Sequence, residues 1–172
     1  NLGYDLNQNV SGTLNVLEWA KKKQVQRFVF SSSMAVYGNR VLAKETDPTL
    51  PLSPYGISKL AAEYYVNYFK KTNPRSSYCI FRIYNCYGPG QETKKQTKGL
   101  ASIFLEQARH KGDYLVTGTL DRTRDLIHIN DVISALTLPA EKDCFAGTFN
   151  LCTGVETSIK DLLLSIDQIA SA

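Results

Sequence analysis

The sequence predicts an α/β fold: a parallel sheet with flanking helices and a smaller C-terminal lobe. Two observations predict it. Short apolar runs at Phe28-Val29-Phe30 and Tyr78 to Ile83 read as strands covered on both faces, and Gly147 to Cys152 as another strand. Between these runs lie longer stretches whose apolar residues recur at helical spacing. Strands that alternate with helices in this way build a parallel sheet.

Taken in order, Leu6, Val10, Leu14, Leu17 and Ala20 predict an amphipathic helix over 7–23. Its Lys21-Lys22-Lys23 end suits a helix C-terminus, and Trp19 is expected to pack. A strand at 27–32 follows and ends in Ser31, Ser32 and Ser33. Gly38, Pro48, Pro51 and Pro54 make 38–54 a loop, with Glu45 and Asp47 solvated. Ser53-Pro54 opens a second long helix from Tyr55 to about Lys71, which Asn73-Pro74 stops. A strand at 78–83 leads into the irregular NCYGPGQ stretch. A helix from Leu100 to His110, a short strand from Tyr114 to Thr117 and a helix from Asn130 to about Leu138 come next. After the 147–152 strand, Ser158 and Asp161 have the spacing of a capping box for the last helix. The pieces at 86–129 and 148–157 form the lobe, with the ligand cleft expected between it and the sheet.

The chain's 172 residues suffice for one good core, and 43% hydrophobic with 21% charged content is ordinary for a soluble globular protein. The net charge of +4 is mild. The lysines at 21–23 and at 94, 95 and 98 read as solvated, so no nucleic-acid partner is expected. Cys79, Cys86, Cys144 and Cys152 lack CxxC spacing, which predicts free thiols in a reducing, cytoplasmic compartment. His110 is read as a helix-end residue and His128 as structural, with no metal site. No apolar run reaches the ~18 residues of a membrane span, and no secretory leader is expected.

The chemistry-bearing stretch is Ser31 to Lys59. Ser33 stands at the predicted strand's C-terminal end, where open α/β sheets hold ligands. Tyr55 and Lys59 are four residues apart and share one helix face. A free phenol titrates near ~10, too high for a base at neutral pH. An ammonium held beside it is expected to favour the phenolate. Tyr55 is therefore a candidate acid/base group, with Ser33 holding the same substrate hydroxyl.

Four motifs in this order, FVFSSSMAVYG, SPYGISK, FRIYNCYGPG and TRDLIHINDV, resemble the extended short-chain dehydrogenase/reductase family. Within it they look like the NAD-dependent epimerases and dehydratases of the UDP-glucose 4-epimerase type. The resemblance implies a partial Rossmann-like sheet. Residues 1–85 would be the C-terminal half of a dinucleotide-binding domain, and 86–172 mostly a substrate-binding lobe from which 130–151 returns to the sheet. It implies NAD as cofactor, a nucleotide-sugar substrate and a homodimer formed through the helices at 7–23 and 55–71. Ser33, Tyr55 and Lys59 would be catalytic. Ser31, Tyr55, Lys59 and Tyr84 would meet the cofactor, Tyr84 being otherwise a packed aromatic. Ser33, Asn85 and Arg124 would meet the substrate. Asn85 is otherwise a turn former, and Arg124 otherwise a salt-bridge partner of Asp125. Asn9 would lie near the site or serve a helix start, and Arg122 has weaker support.

Dehydratases of the resembled family carry an acidic pair after the matching serine. This chain has Met34-Ala35, which cannot exchange protons, so epimerisation through a keto intermediate is expected ahead of dehydration. A nucleotide-sugar reductase or a non-catalytic member of the fold is the alternative. Neither GxxGxxG nor GxGxxG occurs. The resemblance places that turn ahead of Asn1, so the chain is expected to be a fragment that binds NAD poorly and is inactive alone. The 91–99 stretch departs from the family's pattern and is expected to be mobile.

Overall fold

The structure, a computed structural model, describes residues 2–91, 99–110, 113–141 and 146–170. Cys144, Lys94, Lys95, Lys98 and most of the 91–99 stretch lie outside the described residues. The chain divides into two units, one of Asn1–Ile83 with Ser134–Leu151 and one of Tyr84–Ile133 with Cys152–Ala172.

In the first unit, α1 (Leu2–Asp5) passes through a π-helical stretch, Leu6–Ser11, into α2 (Gly12–Lys22). The predicted helix therefore starts earlier than residue 7, and Asn9 is not at a helix start. β1 (Arg27–Ser33) runs into a 3-10 turn at Met34–Tyr37. α3 (Pro54–Thr72) begins on an N-cap, the Ser53 Oγ accepting from the Gly56 N–H at 3.0 Å. β2 (Ser77–Ile83) is central, with β1 and β5 (Gly147–Leu151) parallel on either side. The register pairs Ser31 with Phe81, Ser32 with Arg82 and Ser33 with Ile83.

Leu17 of α2, Ala62 and Val66 of α3, Phe30 of β1 and Tyr78 and Ile80 of β2 form one buried cluster. Each large side chain so buried contributes about 1.5–3 kcal/mol against exposure. This cluster sets α3 over the sheet and so decides where Tyr55 and Lys59 fall. Trp19 departs from expectation: it is 56% exposed, because it lies on the face of α2 turned away from the buried Leu17 and Ala20.

In the second unit, β3 (Asn85–Tyr87) pairs in parallel with β4 (Thr123–His128), which pairs antiparallel with β6 (Glu156–Ser158). α4 (Leu100–Arg109) and α6 (Ile159–Ala170) bury Phe104, Ile159 and Ile166 together. The Ser158 Oγ accepts from the Asp161 N–H at 3.0 Å and donates to the Asp161 carboxylate at 2.6 Å, capping α6. α5 (Ile129–Glu141) begins in this unit and continues in the first. The expected strand at Tyr114–Thr117 does not form. Tyr114 and Val116 instead pack singly against the Phe104 cluster, and the Leu115 N–H bonds the Gln107 side chain at 3.2 Å.

Among the described residues Cys79, Cys86 and Cys152 are free thiols. No described helix is long and apolar enough to cross a membrane.

Candidate active site

Three successive residues at the tip of β1 meet α3. The Ser33 hydroxyl lies close enough to the Tyr55 phenol to pull its pKa down. The Lys59 ammonium donates to the Ser31 carbonyl at 3.0 Å. The buried Ser32 hydroxyl donates to the Glu63 carboxylate at 2.5 Å. Tyr55, Lys59 and Glu63 stand four residues apart, so one helix face carries all three.

Local geometry explains the close approach. Gly56 follows Tyr55, and a Cβ there would lie 2.6 Å from the Ala35 carbonyl oxygen. Only glycine lets the first turn of α3 close on the Met34–Tyr37 turn. On the other side, the Ala35 N–H donates to the Ser33 Oγ at 3.2 Å, which fixes the hydroxyl at the strand's end.

The electrostatics differ from expectation. The Tyr55 phenol is pushed above its usual range, first by burial; the Ser33 hydroxyl pulls it down and the Asp5 charge pushes it up. Burial lowers Lys59. The Lys59 Nζ sits 5.8 Å from the centre of the Tyr55 ring and 5.2 Å from that of Phe30, with one of its donors spent on Ser31. The phenol responds to burial, Ser33 and Asp5 and not to Lys59, so the expected lowering of Tyr55 by Lys59 is absent. Tyr55 is 42% exposed and Ser31 is exposed, so the pair is accessible from solvent.

One support was anticipated only through the resemblance, as Asn9 near the site, and a second was missed. The π-helical stretch turns the Asn9 amide onto the Ser58 Oγ at 2.9 Å, and Ser58 donates to the Tyr55 carbonyl at 2.8 Å. Such widened turns recur at functional sites. Behind the strand tip, Glu63 and Arg82 form a buried pair at 2.7 Å. Arg82 also reaches the Tyr37 phenol at 2.8 Å, and that phenol donates to the Asn150 Oδ1 at 2.7 Å. A visible signal existed: Arg82 stands in the apolar run Tyr78 to Ile83, and a charge there requires a partner.

In the second unit, Tyr84 is a half-buried residue between β2 and β3. Asn85 opens β3 and its Nδ2 donates to the Asp125 carbonyl at 2.8 Å. Arg124, on β4, donates from one terminal nitrogen to the Thr123 carbonyl at 2.7 Å. The Asp125 carboxylate does not pair with it. One oxygen accepts from the Thr153 N–H and hydroxyl, both at 2.9 Å, and the other from the Gly154 N–H at 2.7 Å. Burial and the neighbouring Arg122 charge both lower Arg124. The Arg122 Nε is buried and has no hydrogen-bond partner among the described residues. A cavity of about 540 Å3, which the sequence did not reveal, lies between the Gly88-Pro89-Gly90 turn and Ala101, Ser102 and Leu105 of α4.

Comparison with known proteins bears on both units. A UDP-glucose 4-epimerase from Halalkalibacterium halodurans is 31% identical over 172 residues, covering 90% of this chain and 51% of that protein. The structure of UDP-glucose 4-epimerase from Thermotoga maritima with UDP-glucose superposes with a TM-score of 0.90 at 31% identity, covering 99% of this chain and 56% of that one. The Thermus thermophilus UDP-glucose 4-epimerase in complex with NAD gives a TM-score of 0.83 at 28% identity, with 95% and 54% covered. The chain thus spans about half the length of the curated relatives it matches. These neighbours are Rossmann-fold enzymes, and the parallel sheet with its flanking helices is a part of that fold. The model of the NAD dependent epimerase/dehydratase family matches residues 2–152, and the chain belongs to that family.

Proposed function

We propose that this chain carries the acid–base residues of an NAD-dependent epimerase that inverts a carbinol carbon of a nucleotide-diphosphate sugar through a keto intermediate. The observation that carries the reading is the meeting of Ser33, Tyr55 and Lys59 at the C-terminal end of a parallel strand, with the Lys59 ammonium tied to the Ser31 carbonyl at 3.0 Å. The donor set suits the nicotinamide half of NAD: an ammonium, a phenol and an exposed serine converge on one strand tip. Lys59 and Ser31 would hold its ribose, with Tyr55 and Tyr84 bordering the ring. When bound, NAD supplies the hydride acceptor and donor.

The chain's own residues handle the proton. Ser33 holds the reacting sugar hydroxyl against Tyr55, which takes its proton as the carbonyl forms and returns it after the keto sugar has presented its other face. A phenol above its usual range is the poorer acid and, once ionised, the stronger base, so its environment favours the step that takes the proton over the one that returns it. Met34 and Ala35 follow Ser33 without a proton-exchanging group, which argues against dehydration.

Arg124 and Asn85 would bind the substrate diphosphate. A guanidinium without a carboxylate partner among the described residues is suited to a phosphate fork. The volume of the cavity beside α4 is in the range of small-ligand sites.

The exposed face of α2 and α3 carries Val16, Trp19, Ile57, Tyr64 and Tyr68, each more than half exposed. Such a stripe supports a homodimer formed through these helices. The free thiols support a reducing compartment, the cytoplasm.

The test is incubation of the intact protein with NAD and UDP-glucose, reading UDP-galactose formation by chromatography. Interconversion supports the proposal. Absence of turnover on any nucleotide sugar, with NAD demonstrably bound, overturns it; a strict need for added NADPH would point to a reductase.

A further inference from the structure

Ser31, Ser32 and Ser33 are chemically interchangeable, yet they do three different jobs at the β1 tip. Ser31 presents its carbonyl to Lys59, Ser33 its hydroxyl to Tyr55, and Ser32 alone is buried. A slip of one residue in a strand exchanges its two faces, and a run of identical side chains offers nothing of its own to resist the slip. What distinguishes the middle serine is the Glu63 carboxylate, which accepts its hydroxyl. That carboxylate also accepts from the Arg82 Nε at 3.0 Å and from a terminal nitrogen at 2.7 Å. Glu63 is 2% and Arg82 7% exposed. Arg82 stands beside Ser32 in the β1–β2 register, so strand, neighbouring strand and helix are tied at one point.

The network then turns toward Ser33 from its other side. The second arm of Arg82 holds Tyr37, the last residue of the turn that Ser33 opens. Tyr37 bonds Asn150 of β5, whose amide nitrogen donates to the Ala43 carbonyl at 2.7 Å and whose N–H donates to the Glu45 carboxylate at 2.8 Å. The loop that leads from Ser33 to Tyr55 is thus pinned to the same buried charges. A buried ion pair is in general no more stabilising than well-packed apolar side chains, so its use at this point calls for a role in geometry.

We propose that the Glu63–Arg82 pair is a positioning element of the acid–base site, selecting Ser32 as the buried serine and so holding Ser31 and Ser33 opposite Lys59 and Tyr55. The kinetic part of this inference rests on the proposed epimerase activity; the geometric part does not.

The test uses Ser32→Ala, which removes the hydroxyl without touching the charges, and Tyr37→Phe, which removes the link from Arg82 to β5 while keeping the ring. Each is assayed in the intact protein for kcat, KM and thermal unfolding, and the crystal structure of Ser32→Ala is determined. The expected result is a kcat lowered about tenfold with KM within about twofold in folded protein, and a Ser33 side chain that is moved away from Tyr55 or divided between conformers. Unchanged kcat with Ser33 still beside Tyr55 overturns the proposal, as does a rate loss that only tracks the unfolded fraction. If Ser32→Ala does not fold, Tyr37→Phe carries both readouts. If the wild type turns over no nucleotide sugar, the functional reading falls, and the crystal structure still decides the positioning claim.

Discussion

The tip of β1 and the strand β4 both carry polar side chains that the sequence singles out, and they treat them in opposite ways. At the β1 tip each group is committed: Ser33 to the Ala35 N–H, Lys59 to Ser31, Ser32 to Glu63, Glu63 to Arg82. On β4 and just ahead of it, Arg124 and Arg122 have no carboxylate partner among the described residues. Arg124 bonds only a neighbouring carbonyl, Arg122 keeps a buried Nε without a partner, and the nearby Asp125 is spent on Thr153 and Gly154. Proton transfer requires reacting atoms held in advance, because small misplacements cost rate. Gripping an anion requires donors that are not already neutralised. On the proposed function, the first region would serve proton transfer and the second charge recognition.

The comparison breaks first if the buried charges at the β1 tip are dispensable. Glu63→Leu leaves Arg82 buried without its partner and should cost about 3–5 kcal/mol in denaturant unfolding. A loss below ~1 kcal/mol would mean that water reaches Arg82. Next, Tyr55→Phe should lower kcat about a thousandfold, close to 4 kcal/mol, with KM nearly unchanged. Retention of a tenth of wild-type kcat would remove Tyr55 from the proton path.

Gly56→Ala sharpens the same side. Its methyl would meet the Ala35 carbonyl, so α3 must lift from the Ser33 turn, with a stability loss of about 1–3 kcal/mol and a lower kcat. On the β4 side, Arg124→Ala should raise KM about tenfold and leave kcat within a factor of ~3, the opposite split from Tyr55→Phe. Equal losses in both parameters would erase the contrast between the regions. The smallest effect is expected from Ser158→Ala, which removes the α6 cap for about 1 kcal/mol and should leave KM unchanged.

The strands β1 and β2 were legible because continuous apolar runs survive only where both faces are covered. The strands β3, β4 and β6 were not. Each is three to six residues of mixed polarity. Their pairing, Asn85 with Leu126 and Arg124 with Thr157, joins positions far apart in the chain. The stretch Tyr114–Thr117 misled for the converse reason: its residues are strand formers without a ladder partner, and Tyr114 and Val116 went into a helix-lined cluster. Trp19 stands exposed because it falls off the face that Leu17 and Ala20 define, a periodicity that the expectation of packing set aside. Within the site, Tyr55 and Lys59 were readable from their four-residue spacing. The sign of their electrostatic coupling was not, because spacing sets where Cβ atoms lie and leaves the ammonium free to choose a carbonyl over a phenol.

By itself the sequence determined the sheet-and-helix alternation, the helix that carries Tyr55 and Lys59, and the capping of α6. All of these follow from periodicity and local hydrogen bonding over a few residues. Only the tertiary structure decided which of three serines is buried, where the Lys59 ammonium goes and that Arg122 and Arg124 stay unpaired by carboxylates among the described residues. Those outcomes depend on Glu63, Arg82, Ser31 and Asp125 meeting partners across strand, helix and loop, and such meetings are set by how the core packs.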